Sequence, residues 1–233
     1  MSEASAAAAV VDDSSPLEPA WLLRLFGRPR QFFALDHALN QKPELFLVVW
    51  LAGMSNVLGR IDMQLAKAGS GTPTSSDIFV RLAQSWSSVW IAVVLGGVLS
   101  GGLAWLIGGW WYGLRLHLCG ARPGHEHEGR RTWAYVSLAT SLPAIVVLLI
   151  QTVRYDSYAE AYNTSSALDL LLLALLYWSV VVSYRAATTR FKLDTSKARF
   201  WFLVLPLAFY TVVIVMLGLL SAALGPGNAS IAA

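Results

Sequence analysis

Between Arg81 and Arg115 the chain carries no formal charge, and this run constrains the fold more than any other feature. About 20 helical residues already cross a hydrocarbon layer ~30 Å thick. Trp90 and Trp110 are twenty residues apart, roughly 30 Å along a helix axis. The spacing predicts one aromatic at each membrane interface, with Trp86, Trp111 and Tyr112 as further anchors. Inside the run, Gly96, Ser100, Ala104 and Gly108 recur every fourth residue, and Gly97 and Gly101 widen that row into a strip. Lipid tails gain nothing from small side chains, whereas a second helix can approach closely and collect dispersion contacts. The strip therefore predicts the packing centre of a helical membrane bundle. Val93 is expected on another face, against lipid.

Composition agrees. Of 233 residues 56% are hydrophobic and only 13% charged, with a mean hydropathy of +0.54, where soluble domains carry about 25% charged residues. The single Cys119 excludes an internal disulfide. A net charge of +3 identifies no partner by its sign, and nothing in the sequence suggests nucleic-acid binding.

Residues 1–17 are too poor in apolar side chains to bury and are expected to be disordered. They lack the basic start and compact apolar core of a cleaved signal peptide. Residues 18–42 differ. Trp21, Leu22, Leu25 and Phe26 make one helical face, Gly27 suits a helix stop, and Pro29 suits the first turn of the next helix. Phe32, Leu35 and Leu39 continue an apolar side, flanked by Arg24, Arg28 and Arg30. Two compatible readings stand: an amphipathic helix in the plane of the interface, or a cap over the bundle.

Residues 43–225 hold five expected spans, at about 45–60, 86–114, 133–153, 166–184 and 200–224, and 226–233 form a short outer tail. The first is short, and Leu58, Ile61 and Leu65 favour its extension beyond Arg60. Five spans place the termini on opposite sides. One side collects 13 of the 17 Lys and Arg residues, among them Arg24, Arg28, Arg30, Arg130 and Arg131. The positive-inside rule puts that side, and the N-terminus, in the cytoplasm and the C-terminus outside. Arg24, Arg28, Arg30, Arg130 and Arg131 are the candidate surface for anionic headgroups or a partner.

Several motifs invite chemistry. His125-Glu126-His127-Glu128, near His117 and Cys119, suggests a metal, but histidines at i and i+2 do not share a helix face, and a solvated polar loop is expected. Asp169 sits near the outer end of its span, where a carboxylate favours the helix N-terminus. Pro143 and Pro206 remove amide donors and free the carbonyls of Ala139 and Phe202. Both are read as packed kinks, with Thr140 or Ser141 satisfying the former. Asn163-Thr164-Ser165 and Asn228-Ala229-Ser230 match glycosylation acceptors. No hydrolase, metalloprotease, phosphate-loop or dinucleotide motif occurs, so neither enzyme activity, a cofactor nor a metal is expected.

The segment Arg28-Pro29-Arg30-Gln31-Phe32-Phe33-Ala34-Leu35, the glycine-rich second span, Gly120, Arg130-Arg131, Tyr135 and Pro143 together resemble the Yip domain family. These are five-span membrane proteins first known as interactors of Rab-type GTPases. The resemblance covers about residues 28–224 and implies five helices, a cytoplasmic N-terminus and a role in membrane organisation or traffic. The acidic-Leu-Tyr-Gly-Pro motif of eukaryotic members is absent and Ala134 precedes Tyr135, so the chain is more similar to bacterial members. The expectation is thus an all-α bundle in a bacterial inner membrane, acting as a non-enzymatic scaffold toward anionic lipid, other membrane proteins or further copies of itself. A permease or permease subunit is the alternative.

Overall fold

A computed structural model describes residues 19–34, 42–69, 76–122, 124–164, 167–191 and 193–224. The expected tails 1–17 and 226–233, Leu35, Leu39 and Asn228 lie outside these residues. The described chain is helical, with no strand among the described residues. It comprises α1 (Pro19–Gly27), α2 (Pro29–Phe33), α3 (Lys42–Gly69), α4 (Ser76–Ala83), α5 (Trp86–Leu118), α6 (Glu126–Arg154), α7 (Tyr158–Asn163), α8 (Ala167–Arg190), α9 (Thr195–Arg199) and, after a π-helical turn at Phe200–Val204, α10 (Leu205–Leu224). Five of these rods are long and apolar enough to cross a membrane, and the protein is a membrane-embedded all-α bundle.

The helices alternate in direction. We call the end where α3, α6 and α9 begin, and α5 and α8 finish, the basic end; the other is the far end. α3 runs on past Arg60 to Gly69, with Leu58, Ile61 and Leu65 all buried on its inner face. It packs most extensively against α5. Backbones nearly touch there: a Cβ on Gly101 would lie 2.5 Å from the Val49 carbonyl oxygen, and one on Gly97 would lie 2.7 Å from Met54 Cγ. Gly53 of α3 faces both glycines and has no room for any side chain. Such proximity requires glycine on both helices.

α5 thus buries Val89, Val93, Gly97, Gly101, Gly109, Tyr112 and Leu116. The expected row Gly96, Ser100, Ala104 and Gly108 is half-buried along the seam's edge, with Gly96 beside Val57 and Gly108 under the Trp133 ring. Val93, expected against lipid, has no exposed surface. The α3 axis lies one position round α5, over Gly97 and Gly101, which carries Val93 inward and leaves Leu95 and Leu99 outward.

The tryptophans Trp86 and Trp90, expected near the far interface, and Trp50 of α3 also bond across the bundle. Trp86 Nε1 donates to the Tyr155 carbonyl (2.8 Å), Trp90 Nε1 to Thr152 Oγ1 (3.1 Å) and Trp50 Nε1 to the Val94 carbonyl (2.9 Å). Each joins one helix to a neighbouring segment, the half-buried indole N–H finding an acceptor there. At the basic end Trp110 and Trp111 remain exposed.

α1 and α2 cap the bundle. Trp21, Leu25, Phe32 and Phe33 are buried with Val48, Tyr135, Leu138 and Val182 of α3, α6 and α8. Their apolar face is used by protein, which supports the capping reading. Pro143 sits inside an uninterrupted α6. Thr140 and Ser141 both donate to the Ser137 carbonyl, not to that of Ala139. Before Pro206 the chain widens into the π turn, where the Leu205 N–H bonds the Phe200 carbonyl. A π turn is a recognised means of interrupting the regular ladder.

Candidate functional site at the basic end

The basic end is built where α5 stops. Gly120 adopts φ +83°, the Ala121 N–H bonds the Leu116 carbonyl (3.0 Å) and the Gly120 N–H bonds the His117 carbonyl (2.9 Å). This six-to-one and five-to-two pair is a Schellman ending, for which glycine is suited by its lack of Cβ. The chain then turns through Gly124, φ +98°, into α6. Asp194 caps α9 through the Ser196 and Lys197 amides, and its own N–H bonds the Cys119 carbonyl (3.3 Å). Burial pushes the Cys119 thiol up to about 11 despite the neighbouring Arg115 charge, so it stays protonated and unreactive at neutral pH.

His125 to Glu128 is not a solvated loop. His125 precedes the first turn of α6, and Glu128 is clamped in a cluster ahead of the apolar part of that helix. Glu128 Oε1 accepts from Arg190 Nε (3.1 Å) and Nη2 (2.7 Å), while Oε2 meets His125 Nδ1 at 2.9 Å. The His125 ring stands edge-on to Phe191, centroids 5.6 Å apart. Burial alone would raise the Glu128 carboxyl, but the hydrogen bonds from His125 and Arg190 outweigh it and hold the group below its ordinary range. The cluster ties the start of α6 to the end of α8. Among the described residues no three His, Cys, Asp or Glu side chains gather as metal ligands.

Between α5 and α6 lies a cleft of about 360 Å³. Trp110 and Leu114 form its apolar part, Gly109, Gly113 and Gly124 open its walls, and His117, Arg122, His125 and Arg130 line it together with Glu126. The Arg130 stem covers Gly109, its Cγ at 2.6 Å from where a Cβ would sit, and its guanidinium lies 5.7 Å from the Trp105 ring centroid. Beside the cleft Arg115 is stacked among Phe202 (4.7 Å), Tyr112 (5.3 Å) and Trp111 (5.9 Å), an arrangement that offsets part of a cation's desolvation.

The remaining candidates are dispersed. Arg24, Arg28 and Arg30 are exposed on α1 and α2, with Arg24 3.8 Å over the Trp21 ring. Arg130 and Arg131 are half-buried at the start of α6, so the basic surface is an outer trio plus an inner pair. Asp169 belongs to the first turn of α8. Asn163 closes α7 and donates to the Ala159 carbonyl.

Sequence reasoning missed a second cavity, at the far end. It holds about 180 Å³ and is lined by Asp62, Gln151, Tyr158 and Tyr162 among apolar neighbours. The Tyr158 hydroxyl donates to Asp62. Asp62 carries no motif and lies two residues beyond Arg60, in the extension of the first span, so nothing in the sequence singles it out. A helical turn past Arg60 places it beside α7.

No known protein family matches the chain, and comparisons with curated proteins and with solved structures find no match.

Proposed function

We propose that the protein is a non-enzymatic organiser of a bacterial inner membrane, with its basic end in the cytoplasm and its C-terminus outside. One observation carries this reading: the docked helices α1 and α2 present Arg24, Arg28 and Arg30 at the same end to which α5, α6 and α8 bring Arg122, Arg130, Arg131 and Arg185. Anionic headgroups attract such a surface by about 1 kcal/mol per well-placed basic side chain. The resemblance to the Yip domain family supports the same orientation and a role in gathering membrane partners, including further copies of the chain. Between the two ends the bundle is filled by Met54, Val93, Leu138, Leu148 and the glycine seam, which favours an organiser over a permeation path. The far-end cavity with Asp62 is the observation that favours a permease. Reconstitution in liposomes separates them: partners that co-purify without solute flux support the organiser, and flux supports the permease. A reporter at Gly124 should read as cytoplasmic and one after Ala233 as extracytoplasmic; the reverse at both sites overturns the orientation.

A further inference from the structure

The cleft between α5 and α6 is distinct from the outer arginines, because it is concave and sits at a boundary. Its volume of about 360 Å³ falls within the ~300–1,000 Å³ of small-molecule sites. Trp110 and Leu114 end the uncharged run, and the next turns supply His117, Arg122 and Arg130. Arg122 and Arg130 form no ion pair among the described residues, while Glu126 is the one carboxylate on the lining. His125 uses Nδ1 on Glu128 and keeps Nε2. Two guanidiniums and two imidazoles around an opening walled by glycine backbone suit a tetrahedral anion, and arginine in particular matches phosphate oxygens by its planar fork. Below the opening, Leu106, Ile107 and Trp110 present an exposed apolar face, along which acyl chains can lie.

We infer that this cleft binds the phosphate of an anionic phospholipid, held by Arg122 and Arg130 with its chains along the outer face of α5. The inference deepens the reading above, which places this end at the anionic leaflet. Its test is made in detergent and does not depend on orientation or on any partner.

The full chain, purified in a neutral detergent, is titrated with short-chain phosphatidylglycerol, phosphatidylcholine of the same chain length, and inorganic phosphate. Tryptophan fluorescence and thermal midpoint are followed. Phosphatidylglycerol should give a saturable change, with the other two at least tenfold weaker. Arg122→Gln, on an exposed side chain, should weaken phosphatidylglycerol about tenfold, as expected for one lost charge-assisted hydrogen bond. Gly113→Leu should abolish binding by filling the cleft, since a Cβ there meets open space. Arg60→Gln, at the opposite end, should change nothing. Inorganic phosphate binding as tightly as phosphatidylglycerol would overturn the lipid and identify a soluble phosphate ligand. Phosphatidylcholine binding equally would overturn the role of charge. Undiminished phosphatidylglycerol binding by Arg122→Gln overturns the site, whether or not Gly113→Leu folds.

Discussion

Helices α5 and α10 are both apolar enough to belong to membrane spans and differ almost completely in what they bury. α5 buries seven residues between Val89 and Leu116, whereas the described side chains of α10 are exposed or half-buried. The distinction lies in small residues. α5 places Gly97 and Gly101 one turn apart against Gly53, and α10 has only Gly218, around which a Cβ would meet nothing. Apolar content determines that a segment enters the bilayer; the spacing of small residues determines what it packs against.

The sharpest way to break that comparison is Gly101→Leu against Gly218→Leu. At Gly101 the new Cβ meets the Val49 carbonyl oxygen, a backbone atom that cannot rotate away. The cost should reach or exceed the upper end of the ~1–3 kcal/mol typical of overpacking, read as lost expression and a collapsed thermal midpoint in detergent. Gly218→Leu should express and melt like the parent. Equal behaviour of the two variants would remove the seam as the distinction between the helices.

Val93 tests how much of this was legible in the sequence. The glycines announced a close contact, and Gly97 and Gly101 lie at its centre. The facing direction was not legible, because glycines at 96, 97, 101 and 102 spread over a wide arc and only the partner helix selects within it. Gly53, a lone glycine in a mixed segment, marks that choice, and no periodicity distinguished it from Gly59. Val93→Leu, a harmless change if the residue met lipid, should instead cost about 1–2 kcal/mol as overpacking of a fully buried site. Likewise, Trp90 fits an interface anchor by spacing alone; that its indole reaches Thr152 requires α6 to be in place.

The basic end adds a charged clamp to its close α5–α6 packing, and Glu128→Gln sharpens that contrast. Arg190 is only 6% exposed in its side chain and Glu128 32%, so the loss should be about 1–2 kcal/mol after allowing for the exposed part. Because folding depresses the Glu128 pKa, its contribution is complete above the ordinary glutamate value of ~4.3. It is lost as pH falls through the lower folded value. The gap in thermal midpoint between parent and variant should therefore close as pH falls below the ordinary glutamate value of ~4.3. A gap that persists at the lowest pH would contradict the assignment. His125 and Glu128 could have been read as helix start and ion pair only with Arg190 in view, 62 residues away.

Ser100→Leu and Ala104→Leu probe the margin of the seam. Both positions are half-buried, beside the glycine contact and not beneath it, so the added side chain can lean toward lipid. A loss near 1 kcal/mol is expected, at the low end for overpacking. A loss matching that of Gly101→Leu would move the helix axis back over the 96–100–104–108 row.

The smallest effect belongs to Leu99→Ala, which replaces Val93 as the lipid-facing reference. Leu99 is 75% exposed, and its neighbours along that face, Leu95, Leu103 and Leu106, are exposed as well. Truncation there opens no cavity, since detergent or lipid tails fill the space the side chain leaves. Alanine also keeps the helix, being at least as good a helix former as leucine. The variant should melt within about 0.5 kcal/mol of the parent, the range of substitutions away from packed features. In a core position the same Leu→Ala change costs about 2–5 kcal/mol through the cavity it leaves. A loss of that size at Leu99 would mean that another protein surface covers this face of α5, and the helix would then be packed on both sides.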